Sequence, residues 1–136
     1  MEWDTGSCRK ARMTRNVLIV EDAEVCRETL EMALMKAPYL RVRSVTTAEE
    51  ALQWLAANEV AVLVTDLRLP RMDGFALIEA VRARRSSLPI VVISGDSDPK
   101  IPAHVAGLGA NAYFAKPYSP AAVLHKVEEL IGVSAS

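Results

Sequence analysis

The stretch Val62–Gly74, VLVTDLRLPRMDG, starts as an apolar run and ends among turn residues, with Asp66 at the junction. As a strand, Val62, Leu63 and Val64 present no polar side, so they belong to a sheet covered on both faces. Asp66 then follows where such a strand leaves its core. Alone, an acid there is ordinary turn chemistry, because Asp, Pro70 and Gly74 all favour turns. The neighbouring segments decide whether it is more.

Upstream, Val17-Leu18-Ile19-Val20 is a second buried run, expected to start at Asn16. A helical pattern follows it, with Cys26, Leu30, Ala33 and Leu34 on one face. Leu40–Val45 alternates with period two, as suits a strand near a sheet edge. Thr46-Thr47-Ala48-Glu49-Glu50 holds a capping box in either of two registers and opens a helix burying Ala51, Leu52 and Leu55, with Trp54 at its margin. The third strand is expected over Ala61 to Thr65, running into Asp66.

Downstream, Phe75, Leu77, Ile78 and Val81 mark a helix whose last turn carries Arg82, Arg84 and Arg85 against the helix dipole. Pro89–Ser94 reads as a fourth buried strand. The segment from Asp98 must be a short or irregular helix with Pro102 in its first turn. Ala112–Ala115 is a fifth strand, and Ser119-Pro120 caps a last helix with a stripe of Val123, Leu124, Val127, Leu130 and Ile131. Five strands alternating with five helices predict an α/β fold: an open, mostly parallel sheet with helices on both faces.

The chain has 136 residues, enough for one domain. Its hydrophobic share of 51% supports a core, and a net charge of −1 gives no nucleic-acid or anionic-membrane footprint. Cys8 and Cys26 form no metal or disulfide framework, and Cys26 is expected as a buried free thiol. No apolar run reaches the roughly 18 residues of a membrane span, and MEWDTGSCRKARMTR lacks a signal-peptide centre. The expected location is the cytoplasm. The expected division is a flexible leader over 1–15, the domain over 16–132 and a tail over 133–136, with Met1 or Met13 as the start.

Sites in such sheets gather outside the C-terminal strand ends. The first strand ends in Glu21-Asp22, the third in Asp66 and the fourth in Ser94, while the fifth leads through Tyr113 to Lys116-Pro117. Turn chemistry alone does not account for three carboxylates, a hydroxyl and an ammonium on one rim. Two unit charges about 4 Å apart repel by roughly 4 kcal/mol at an effective dielectric near 20. A divalent cation offsets that, and an all-oxygen site suits Mg²⁺, with Mn²⁺ as a substitute. A cation, an ammonium and a hydroxyl around a carboxylate suit phosphoryl transfer with Asp66 as nucleophile.

The set VLIVED, VTDLRLPRMDG, VVISGD and AYFAKP resembles the receiver domain of bacterial two-component response regulators, over roughly residues 16–132. The resemblance implies a doubly wound, flavodoxin-like fold with five parallel strands. It implies Asp66 as phospho-acceptor, Asp22 as a direct Mg²⁺ ligand, Glu21 as a ligand through water, and the backbone carbonyl of Arg68 as a further ligand. It gives Lys116 contact with the phosphoryl group, makes Ser94 and Tyr113 the switch pair, and implies a cis bond before Pro117. Ser94 stands where Thr is more usual, Gly95 leaves room above the acid, and the Pro99/Pro102 pair is atypical.

The implied protein is a stand-alone phosphorylation-controlled binding module that catalyses only its own phosphorylation and dephosphorylation. Its expected partners are a histidine kinase or histidine phosphotransfer protein and an effector protein, not nucleic acid or membrane, with the chain a monomer or a phosphorylation-dependent dimer. A relay intermediate passing phosphate to another histidine is an alternative. A haloacid-dehalogenase-type phosphatase is a weaker one, since it needs a second acid where Arg68 stands. His104 and His125 are expected at the surface, Trp54 in packing, and Arg68 and Asp96 as a charged lid over the site.

Overall fold

The computed structural model describes residues 14–132. The expected leader (but for Thr14 and Arg15), Cys8, Met13 and the expected tail lie outside them. The elements are β1 (Arg15–Val20), α1 (Glu24–Met35), β2 (Leu40–Val45), α2 (Ala48–Ala57), β3 (Val62–Asp66), α3 (Gly74–Arg84), β4 (Ile90–Ser94), α4 (Ile101–Leu108), β5 (Ala112–Ala115) and α5 (Pro120–Ile131). All neighbouring strands are parallel, in the order β2-β1-β3-β4-β5.

Alternation along the strands divides the core in two. Leu18, Val20, Leu63, Ile90 and Val92 face α2, α3 and α4. Val17, Ile19, Val62, Val64, Val91 and Ile93 face α1 and α5. Every residue of β3 and β4 is buried, as their unbroken apolar runs require. β2 takes one edge, and its outward residues Arg41 and Arg43 stay exposed. Arg43 lies over the Trp54 ring, 4.2 Å from its centroid, and covers that half-buried indole.

Local chemistry sets the helix starts. Thr47 Oγ1 accepts the N–H of Glu50, while Glu50 reaches back to the N–H of Thr46. Asp73 accepts from Ala76 N, and Ser119 from Ala122 N with Pro120 behind it. Helix α4 has only eight residues, and Pro102 sits in its first turn as expected. It stops at Gly109, whose φ of 111° is left-handed.

Several boundaries differ from the sequence reading. Strand β1 begins at Arg15, whose N–H donates to Tyr39 O, so Arg15 belongs to the sheet and not to a leader. Ala61 and Pro89 fall just outside β3 and β4, although Ala61 N bonds Asn16 O and Pro89 O accepts from Leu63 N. Leu52 and Cys26 are half-buried, because each sits at the edge of its helix's apolar stripe. In α5 only Val123 and Val127 are fully covered.

Candidate functional site

In a parallel sheet all C-terminal strand ends share one edge, and here β1 lies beside β3. The α1 crossover leaves over one face and α3 over the other, which opens a crevice between the tips of β1 and β3. Glu21 follows β1 and is buried (1% exposed), while Asp66 closes β3 at 5% exposed.

Lys116 joins them. Its Nζ lies 2.7 Å from Asp66 Oδ2 and 3.2 Å from Glu21 Oε1. The lysine is aimed by the β4–β5 edge, because its backbone N–H donates to Ser94 O at 2.8 Å. The Lys116–Pro117 peptide bond is cis, as expected. The other Asp66 oxygen, Oδ1, accepts the Arg68 N–H at 3.0 Å. Glu21 accepts from Ala23 N at 3.1 Å, and Arg27 donates to the Glu21 carbonyl.

Burial raises the Glu21 pKa, and the neighbouring Asp66 charge adds to that. Burial alone would lower Lys116, but the hydrogen bond and charge of Asp66, then those of Glu21, outweigh it and hold the lysine above its ordinary value. One ammonium thus partly offsets a buried carboxylate pair. Tyr118, two residues beyond the lysine, is pushed up to about 12, first by burial.

Ser94 is fully buried, and its Oγ accepts the N–H of Asp96 at 3.0 Å. Half-buried Tyr113 reaches the Asp96 carbonyl with its hydroxyl at 3.5 Å. Asp96 also meets Arg68 Nη2 at 3.2 Å, so the expected charged pair across the rim forms. Asp22, Arg68, Pro70, Asp73, Phe75 and Asp96 line an open cleft of about 540 Å³ there.

The sequence reading gathered three carboxylates, and the structure departs from that. Glu21 and Asp66 meet at Lys116, but Asp22 is exposed on the cleft wall, one residue beyond the buried position. Among the described residues no group of three His, Cys, Asp or Glu side chains stands at metal-holding spacing. The donor chemistry still fits Mg²⁺, which keeps several waters and needs only one or two carboxylates. Asp22 and Asp66 are the acids that would supply them.

The sequence profile of the Response regulator receiver domain matches residues 17–128. The chain belongs to this family. Among relatives, CheY1, a chemotaxis protein of Helicobacter pylori, is 30% identical and aligns over 87% of this receiver and 98% of its own length. The transcriptional regulatory protein GltR of Pseudomonas aeruginosa is 34% identical over 86% of the receiver, which spans only 49% of GltR. Among solved structures, a putative response regulator from Chloroflexus aurantiacus superposes with a TM-score of 0.81 at 32% identity, covering 87% of this receiver and 98% of that chain. The Francisella response regulator 1452 receiver domain has the same fold, with a TM-score of 0.82 at 20% identity, over 87% and 97% of the two chains.

Sequence reasoning missed Arg27 and Phe75 at the receiver's site. Arg27 holds the Glu21 backbone from inside α1, six residues on. Phe75 lines the cleft and stacks on His104, with ring centroids 4.7 Å apart. His104 is exposed as expected, but its ring has a partner. No periodic pattern marks either contact, since each crosses between elements.

Proposed function

We propose that this receiver accepts a phosphoryl group on Asp66 from a histidine kinase or histidine phosphotransfer protein, and that phosphorylation changes which effector protein it binds. One observation carries the reading. The Asp66 carboxylate is held at a strand tip by Lys116 on one oxygen and by the Arg68 N–H on the other, and the residues that follow it, Leu67 and Arg68, line an open cleft.

In the step, an Asp66 oxygen forms a bond to phosphorus as the P–N bond of the donor phosphohistidine breaks. The electron pair stays on the imidazole nitrogen, which takes a proton from solvent. Lys116 has a fixed position from which to meet the phosphoryl oxygens once Asp66 no longer carries the full charge. Mg²⁺, bound through Asp22 and Asp66 with the Arg68 carbonyl as a further ligand and Glu21 acting through water, would neutralise phosphoryl charge. Ser94 can turn from Asp96 toward a new acceptor, and Tyr113 follows the loop that Ser94 releases. The protein turns over no substrate beyond its own phosphorylation and dephosphorylation. It works in the cytoplasm on protein partners, without direct contact with nucleic acid or membrane.

Incubation with acetyl phosphate and Mg²⁺ tests this by intact mass. Wild type should gain one base-labile phosphate and Asp66→Asn none. A fully labelled Asp66→Asn protein would overturn the assignment.

A further inference from the structure

We propose that the groove between α2 and α3 docks a protein partner through a short segment carrying one large apolar side chain beside acidic residues. Crossover helices run antiparallel to their strands, so the last turns of α2 and α3 lie at the sheet edge away from Asp66. An occupant there leaves the cleft at Asp66 open.

Leu52, Leu55, Ala56, Val81, Arg84 and Arg85 line the groove, which has a volume of about 220 Å³. Leu55 and Val81 are buried and form an apolar floor. Small-molecule sites usually measure about 300–1,000 Å³, so this one is undersized for a cofactor. It suits a single large side chain, the kind of buried anchor that dominates protein interfaces.

Charge selects what flanks the anchor. Arg85 is fixed at the rim, with Nη2 donating to Leu55 O at 2.5 Å and Asn58 O at 3.2 Å. Arg82 is engaged with Gly109 and Asn111. Arg84 is exposed, and among the described residues its side chain has no hydrogen bond or ion pair. A second open cleft of about 420 Å³ shares Arg84 and Arg85 and continues over Ser86 and Ser87. No carboxylate lines either cleft. An apolar hole beside an unpaired guanidinium favours an anchor followed by acids and repels a basic segment.

Amide-resolved NMR of the full chain, titrated with the peptide GEDFDEG to about 2 mM, tests this, since an isolated anchor segment binds in the millimolar range. Controls are GEDGDEG, which lacks the anchor, and GKKFKKG, which reverses the charge. Saturable shifts confined to residues 52–58 and 81–87 are expected with GEDFDEG alone. Arg84→Gln should weaken binding about threefold and Arg84→Glu at least about tenfold, as loss and reversal of an interface charge do. Ala56→Phe, which fills the groove from an exposed position, should abolish it. Equal shifts with either control peptide, no saturable shift at all, or indifference to Arg84→Glu would overturn the proposal. Shifts of these amides that depend on protein concentration without peptide would assign the groove to a second copy of the chain instead.

Discussion

At the scale of single residues, two glycines make opposite cases. A Cβ on Gly74 would sit 2.4 Å from Asp66 O and 2.6 Å from Leu67 Cα, both backbone atoms that cannot swing away. Gly74→Ala should therefore destabilise by about 2 kcal/mol or more in denaturant unfolding, against the gain of up to about 1 kcal/mol that Ala normally brings to a helix. Gly107 lies inside α4, and a methyl group there would meet nothing within 4 Å. Gly107→Ala should accordingly stabilise by about 0.5–1 kcal/mol in the same assay. Tyr118 supplies a pH dependence. Its folded pKa is raised from 10.0 to about 12, so its contribution to stability is complete below about pH 10 and is lost as pH rises through 12. Part of the group is exposed, which limits the effect to the order of 1–2 kcal/mol. Alkaline unfolding curves should be shallower between those pH values for Tyr118→Phe, and identical slopes would disprove the coupling.

At the scale of elements, the loops after β3 and β4 are tied by Arg68 and Asp96. Their side chains are 76% and 31% exposed, so the pair contributes about 0–1 kcal/mol to stability and its role is to shape the rim. Asp96 organises its own loop as well: its N–H donates to Ser94 Oγ, and its Oδ1 accepts from Asp98 N. If Asp66 is phosphorylated as proposed, the pair is expected to act as a lid against an attacking water. Arg68→Ala and Asp96→Ala should each change the dephosphorylation rate severalfold, and the double variant should add little beyond either. The Arg68→Ala effect should shrink at high salt, because screening weakens an exposed pair in wild type. Decay of the phosphorylated proteins measures this, and additive effects would mean the two side chains act separately.

For the whole molecule, the rim concentrates negative charge that Lys116 only partly offsets, so a cation that binds the folded state should stabilise it. At about ten times its dissociation constant, Mg²⁺ should add roughly 1.4 kcal/mol, and EDTA should remove the gain. Asp22→Ala should lose the Mg²⁺ response while remaining at least as stable without metal, since Asp22 is exposed and makes no ion pair among the described residues. Thermal melts with and without Mg²⁺ decide the point. An unchanged Mg²⁺ shift in Asp22→Ala would exclude this acid as a ligand.

Much of this receiver was legible along the chain. Uninterrupted apolar runs at Val17–Val20, Val62–Val64 and Ile90–Ile93 can be buried only on both faces, and the period-two pattern of Leu40–Val45 suits the edge it occupies. Acids following such runs, and a lysine following the fifth, lie on one rim because parallel strands share a C-terminal edge. Periodicity reports which side of an element faces inward, but it does not report which element is the neighbour. The pairing of β1 with β3 set Glu21 beside Asp66, and the β3–β4–β5 pairing carried Lys116 to both, 95 residues from Glu21 and 50 from Asp66. Adjacent in sequence, Glu21 and Asp22 were separated by the turn into α1, which buries one and exposes the other. The Phe75–His104 stack and the arginine-rimmed groove between α2 and α3 depend on how helices pack across one face of the sheet. That packing is set by the shapes of side chains far apart in the chain, so only the tertiary structure decided it.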